Sequence, residues 1–144
     1  MTRDIGPDIG PTDDISACLA LRAAVFIREQ GVSLAEEQDG LDDQASHILA
    51  RQGGQPVGCA RILYEGDIAK IGRVCVLPQM RGTGLGAGLI RACLAHAAQQ
   101  PGITRARLGS QTHAIRFYEK LGFRAFGPEY LDAGIAHRDM ERAV

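Results

Sequence analysis

No acidic residue occurs between Ile68 and Tyr118. The same 51 residues carry seven basic ones: Lys70, Arg73, Arg81, Arg91, Arg105, Arg107 and Arg116. Twelve of the 17 acids lie before Ile68, and against 16 Lys and Arg the 17 acids leave a net charge of only −1. That balance excludes a global pull toward nucleic acid or membrane. The acid-free half is expected to be electropositive, as an anionic ligand requires, although Arg91, Arg105 and Arg107 also fit a solvated face. No C-x-x-C pair occurs among Cys18, Cys59, Cys75 and Cys93. Three of them fall inside apolar patterns, which predicts buried free thiols rather than a disulfide framework. No metal-ligand spacing links His47, Cys75 and His137, so no metal is expected. No leader and no membrane-spanning apolar run is visible, and a cytoplasmic protein is expected.

What is present is 45% apolar over 144 residues, enough for one domain, residues 1–144, with a real core. The chain is organised around residues 74–94, VCVLPQMRGTGLGAGLIRACL. An apolar strand pattern ends at Pro78, a glycine-dense turn follows (Arg81, Gly82, Thr83, Gly84, Leu85, Gly86), and a helical pattern runs from Gly84 to Ala98. Strand, glycine turn and helix together hold phosphate, because turn N–H groups and the positive helix N-terminus converge on one anion. Arg81 adds a charged fork of donors.

Elsewhere, residues 4–11 (DIGPDIGP) read as an extended first strand or a lead-in. Thr12 or Asp13 can cap an amphipathic helix over Asp14–Gln30, ended by Gly31. Its apolar spacing includes Arg22. Residues 36–43 hold five acids without the alternating oxygen ligands of a calcium loop. They read as a solvated loop or short helix, or as a lip for a cationic substrate. Ser46–Arg51 and Pro56–Tyr64 form a hairpin pattern around Gly53–Gly54, and Lys70–Leu77 reads as a central strand. Thr104–Gly109 reads as a strand, Thr112–Leu121 as a helix, Phe123–Phe126 as a strand, Gly127–Gly134 as a loop and Ile135–Glu141 as a last strand. This order implies a mixed α/β (α+β) fold, with a mostly antiparallel sheet of six to seven strands packed by about four helices.

The turn R-G-T-G-L-G resembles the (Q/R)-x-x-G-x-(G/A) acyl-CoA turn of the GNAT N-acetyltransferase superfamily through Arg81, Gly84 and Gly86. The segment from Gln111 to Phe123 resembles that family's A-x-x-F-Y-E-K-x-G-F motif through Ala114, Phe117, Tyr118 and Gly122. Leu21–Val32, the acidic loop, Ser46–His47 and Gly134–His137 are similar to one GNAT subgroup, the ElaA/YjcF-like proteins, so the resemblance covers nearly the whole chain. It implies the GNAT (acyl-CoA N-acyltransferase) fold and acetyl-CoA as co-substrate, with no acceptor defined. It also implies that the backbones of Val74, Cys75 and Val76 meet the pantetheine arm, that residues 82–86 hold the pyrophosphate, and that Gln111 and Phe117 line the cofactor site. A loose dinucleotide pattern, Gly82-x-Gly84-x-x-Ala87, lacks the acid about 20 residues on that a ribose needs. A Walker loop is excluded because no Gly-Lys-Ser/Thr follows.

Acetyl transfer needs a neutral amine, and a lysine-like ammonium of pKa about 10.4 is handicapped at pH 7 by roughly 4–5 kcal/mol. A base offsets part of this. Glu29, Glu65, His47, His137 or a relayed water are the candidates. Tyr118 is the candidate general acid for the departing thiolate, by its match to the family tyrosine. Phe26, Arg28, Glu29 and His137 are candidate acceptor contacts. His113 reads as a surface or CoA contact, His96 as helix packing, and Cys75 as core rather than nucleophile. The expected activity is acetyl transfer to a primary amine of a small molecule or peptide. A CoA-binding regulatory module without turnover is the alternative, since the central strand carries no carboxylate. A homodimer through the last strand stays open.

Overall fold

In a computed structural model, residues 7–144 are described; the start of the DIGPDIGP tandem, residues 4–6, lies outside them. Seven strands form one sheet in the order β1-β2-β3-β4-β5-β7-β6. The strands are β1 Asp8–Thr12, β2 Ser46–Gln52, β3 Gln55–Glu65, β4 Ile68–Val76, β5 Arg105–Gln111, β6 Arg124–Asp132 and β7 Ile135–Ala143. Every neighbouring pair is antiparallel except β4–β5. The fold class expected from the sequence is the one observed. Helices α1 (Ile15–Arg22), α2 (Leu34–Glu37), α3 (Leu85–Ala98) and α4 (Ile115–Glu119) pack around the sheet.

The two faces of the sheet separate two cores. Successive side chains on a strand point to opposite faces. On β2, Ile48 and Ala50 join the α3 side with Ala60, Ile62, Leu89, Ile90 and Cys93. Leu49, between them, joins Cys59, Cys75, Cys18, Leu21 and Val25 on the α1 side. The middle of β3 is buried on both faces, which is why its sequence lacks a clean alternation. Gly58 lets α3 sit close to β3: a Cβ there would meet the Cys75 carbonyl at 3.0 Å and Leu89 at 3.1 Å. All four cysteines are free and buried, as their apolar settings suggested. No helix among the described residues is long and apolar enough to cross a membrane.

Several elements differ from the sequence reading. The first helix is capped by Asp14, whose carboxylate accepts from the Ala17 N–H, one or two residues later than expected. It stays α-helical only to Arg22 and continues as a π-helix over Ala23–Glu29. The wider turn rotates its end out of the 3.6-residue period, and Gly31 (φ +74) then ends it. The Thr112–Leu121 helix is a 3₁₀ turn followed by the short α4. The expected loop after Phe126 is mostly strand. β6 runs on to Asp132, with an irregularity in its pairing between Phe126 and Tyr130. Bulges are invisible to a period-two pattern.

β4 and β5 pair only at Ile68↔Arg105, Ala69↔Ala106 and Lys70↔Arg107. The sheet therefore opens after Lys70, well before the end of β4 at Val76. The cause lies in β4. Gly72 faces Arg61 and Cys75 faces Cys59, so Arg73 and Val74 together oppose the single residue Ala60. This extra residue puts Arg73 in the left-handed region (φ +49). A bulge bends and twists its strand, and here it comes at Arg73 and Val74, just past Ile71 and Gly72, which follow the last β4–β5 pair at Lys70.

Candidate functional site

The opened sheet leaves a cavity of about 260 Å³. Ile71, Gly72, Arg73 and Val74 line it from β4, and Leu108, Gly109 and Gln111 from β5. Tyr118 and Ala114 close one wall, Ile135 and His137 another, and Phe26, Gln30 and Val32 a third. Gln111 also donates to Gln30 across the cleft at 3.3 Å and meets the exposed His113 through its Oε1 at 2.7 Å. Thus Tyr118, Gln111, Val74, Phe26 and His137, widely spaced in the chain, converge.

The glycine turn lies beside this cavity. Gly82 (φ +78) and Gly84 (φ +89) are both left-handed. Gly84 is the N-cap of α3 and makes no side-chain cap. The first N–H groups of a helix have no intrahelical acceptor, and α3 carries no acid in its first turn. Arg81, Gly82, Thr83 and Gly84 are exposed, whereas Leu85 is buried against the core. Thr83 Oγ1 donates to the Met80 carbonyl at 2.5 Å, which pins the turn. A Cβ on Gly86 would meet Phe117 at 3.4 Å and Val76 at 4.0 Å. Phe117 therefore joins the turn to the end of β4, and its ring packs edge-on to Tyr118 at 4.9 Å. These residues fit an anionic, pyrophosphate-bearing ligand: the turn offers unblocked N–H groups, the first turn of α3 carries no acid, and the one carboxylate at the turn, Glu29, is held by Arg81.

The end of β4 is partly open. Leu77 donates its N–H to Val57 of β3, so the carbonyl of Val76, in the same planar peptide, points the other way. Arg81 takes that carbonyl through Nε (3.2 Å) and Nη2 (3.1 Å). Arg81 also forms a bidentate pair with Glu29, at 2.5 and 2.6 Å. The pair holds the Glu29 carboxyl below its ordinary range. Cys75, by contrast, is turned away from the cavity. It is 3% exposed, with its sulfur 3.4 Å from Cys59 in the α1-side core. Arg28 is exposed on the π-helix and does not line the cavity.

The electropositive half expected from the acid-free stretch is largely neutralised. Lys70 pairs with Glu65, Arg73 with Asp39, Arg81 with Glu29, and Arg105 and Arg107 share Glu141. Folding supplies from elsewhere the acids that the stretch itself lacks. The acidic segment enters as the short helix α2 and is not a free lip for a cation, because most of its acids are paired. Glu37 is buried against Arg22, whose guanidinium also binds Asp42 at 2.8 Å. Arg61 holds Asp39 at 2.8 Å and Asp42 at 3.2 Å. Arg61 holds the Asp39 carboxyl far below the usual carboxylate range, against the opposing effect of burial. Arg73 donates to the Glu36 and Glu37 carbonyls and to Asp39. This fastens the loop onto the β4 bulge.

Burial, helped by nearby Cys93, pushes the Tyr118 phenol up to about 12 and keeps it protonated. Of the four side chains that could act as base, three are elsewhere. Glu65 is exposed and pairs with Lys70. His47 is buried beneath the ion-pair loop, with Nε2 3.0 Å from the Asp42 carbonyl oxygen. Glu29 is engaged by Arg81. His137 alone of the four lines the cavity.

Tyr130, Asp139 and Gly109 were missing from the sequence reading. The Tyr130 hydroxyl donates to Asp139 at 2.6 Å and passes over Gly109, where any Cβ would collide with it. A glycine inside a strand is the one local signal that pointed there.

Residues 16–144 match the profile of the acetyltransferase (GNAT) domain. The chain belongs to the GNAT acetyltransferase family. It is 40% identical to YjcF of Bacillus subtilis, an uncharacterized N-acetyltransferase, over 83% of this chain and 86% of that one. A crystal structure of Escherichia coli ElaA superposes with a TM-score of 0.83 at 30% identity, covering 94% of this chain and 99% of that one. An acyl-CoA N-acyltransferase from Pseudomonas aeruginosa superposes with a TM-score of 0.86 at 32% identity, covering 96% of this chain and all of that one. This GNAT chain thus shares its fold with ElaA and the Pseudomonas acyltransferase, and ElaA and YjcF are the subgroup that its motifs resemble.

Proposed function

We propose that this GNAT domain, acting as one unit, transfers an acetyl group from acetyl-CoA to a primary amine by direct attack. The observation that carries the reading is the junction of two sites. The glycine turn at the α3 N-terminus and the cavity holding Tyr118 meet through Phe117, Gly86 and Val76. Turn N–H groups of residues 82–86 take the pyrophosphate, each charge-assisted bond contributing roughly 1.5–3 kcal/mol. The pantetheine arm follows the edge of β4 that β5 leaves uncovered at Val74 and Val76, in the manner of an added strand, and Arg81 gives up the Val76 carbonyl to it. Cys75 contributes only backbone, since its thiol faces the opposite core. A cavity of about 260 Å³ suits a thioester end and a small amine or an unbranched peptide amine. Tyr118 gives its proton to the departing thiolate. Its raised pKa makes the transfer more uphill than for an ordinary phenol, and desolvation of the thiolate in the same cavity offsets part of that cost.

The test is release of free CoA thiol from acetyl-CoA with a panel of amines: an alkyl monoamine, a diamine, lysine amide and a short peptide with a free N-terminus. Wild-type protein is expected to release thiol with at least one. Tyr118→Phe is expected to lower kcat about 10²-fold. Tight CoA binding without thiol release from any acceptor would replace the transferase reading with that of a CoA-binding module.

A further inference from the structure

Resting on the transferase reading, we propose that His137 is the general base for the acceptor amine, and that Tyr130 and Asp139 hold its ring in position. Three observations converge on it. First, its tautomer is fixed. Nδ1 lies 2.7 Å from the carbonyl oxygen of Ile135, and a carbonyl only accepts, so Nδ1 carries the hydrogen. In the neutral ring the lone pair is therefore on Nε2, the atom free to take a proton.

Second, the ring plane is fixed. The Tyr130 ring stacks on it, with centroids 5.9 Å apart and planes 22° apart. Tyr130 is anchored in turn at its far end, where the hydroxyl donates to Asp139. Register explains the assembly. His137 pairs with Gln111 on one side and Tyr130 on the other, and Asp139 lies two residues along on the same face. Gly109 leaves the gap through which the Tyr130 hydroxyl reaches that carboxylate. Third, position is right: His137 shares the cavity with Tyr118, the acid, whereas Glu65, His47 and Glu29 are committed elsewhere.

The charged and titratable groups that share this cavity with His137 are Tyr118 on α4, Arg73 on β4, Glu36 and Glu37 on α2 and Asp132 at the end of β6. Tyr130 adds its phenol from β6. Arg73, Glu36 and Glu37 already have partners.

The step balances as follows. Nε2 of His137 takes one proton from the acceptor ammonium and passes it to solvent. The freed nitrogen lone pair forms the C–N bond and the C–S bond breaks. Tyr118 protonates the sulfur and is reprotonated, through water, by the second proton that leaves the nitrogen. Ammonium and acetyl-CoA become amide, CoA thiol and one solvent proton.

The experiment compares two acceptors of similar skeleton, the best alkylamine of the panel and the matching alkoxyamine, which is already neutral at pH 7. His137→Gln, with the fold checked by its melting temperature and by CoA titration, is expected to lose about 10²–10⁴-fold in kcat with the alkylamine. With the alkoxyamine its loss is expected to be at least about tenfold smaller, because that nitrogen needs no deprotonation before it attacks. Its alkylamine rate should climb back as pH approaches the amine's own pKa of about 10.4. Tyr130→Phe, which keeps the stacking ring but drops the anchor, is expected to lose about 3–10-fold with the alkylamine only. A purely structural role would slow both acceptors alike. Equal loss with both acceptors, or full alkylamine activity in His137→Gln, overturns the assignment. No turnover by wild-type protein with either acceptor overturns the transferase reading instead.

Discussion

Gly84 offers a way to separate the shape of the phosphate turn from its charge. The residue caps α3 at φ +89, and a Cβ built there meets nothing within 4 Å. Gly84→Ala therefore adds no clash and costs only the left-handed backbone, about 1–2 kcal/mol. For a domain of this size that lowers Tm by roughly 2–8 °C. Gly84→Asp carries the same backbone cost and, in addition, one negative charge where the pyrophosphate would sit. At about 6 Å and an effective dielectric between about 20 and 80, each phosphate charge is repelled by roughly 0.7–2.8 kcal/mol. Calorimetric titration with CoA should thus show Gly84→Asp binding about 3–100-fold more weakly than Gly84→Ala, at matched Tm. The gap should narrow between about 0.1 M and 1 M salt, as the screening length falls from about 10 to 3 Å. Equal CoA affinity in the two variants would refute placement of the pyrophosphate on this turn.

The ion-pair loop should respond to pH and to truncation. Asp39 is held below its ordinary value of 3.8, so its contribution to stability is complete above that pH and is lost as pH falls through the lower folded value. Acid melts should accordingly steepen below about pH 4 in wild-type protein and flatten in Asp39→Asn. Arg22→Met leaves Glu37 buried without its partner and should cost about 3–5 kcal/mol, whereas Arg22→Met with Glu37→Leu should recover much of this on a denaturant titration. Gly109→Ala should destabilise by about 1–3 kcal/mol through collision with the Tyr130 hydroxyl. Adding Tyr130→Phe should restore most of that, and failure to do so would move the strain elsewhere. The four buried thiols should react with a thiol reagent only after unfolding, since each is at most 3% exposed.

The parts of the site legible in the sequence are those encoded locally. Gly82, Gly84 and Gly86 signal an unusual turn by composition alone, and Leu85, Leu89 and Cys93 signal the helix behind it by period. Tyr118 and Phe117 came from a contiguous motif. What was not legible depends on partners far away in the chain. Arg22 fell on an apolar stripe and read as an exception, yet it is buried because Glu37, 15 residues later, meets it. The loop at 36–43 read as solvated because Arg61 and Arg73 lie beyond a strand and a hairpin. Arg81 read as a free charge because Glu29 is 52 residues away. Local pattern gives the backbone device; long-range pairing decides which charges remain available.

That distinction bears on how an amine is received. Residues 36–43 looked like a surface for a cation, but Glu37, Asp39 and Asp42 are consumed by Arg22, Arg61 and Arg73, Glu36 accepts from Ser33 in the α2 cap, and Asp43 is exposed and does not line the cavity. The β4 bulge ties the two features together. The extra residue that bends β4 away from β5 is Arg73, and its guanidinium fastens the loop over the gap it creates. The loop wall of the cavity is therefore charge-balanced, and it offers an incoming ammonium little beyond desolvation. Desolvation disfavours the charged form of an amine. With a lone pair of His137 on the facing wall, the same cavity that discourages the ammonium also provides the group that removes its proton. A wall built to hold the ammonium by salt bridges would oppose that proton loss; the loop's cavity-lining carboxylates, Glu36 and Glu37, are already engaged, which leaves the exposed Asp132 at the end of β6 to meet the ammonium.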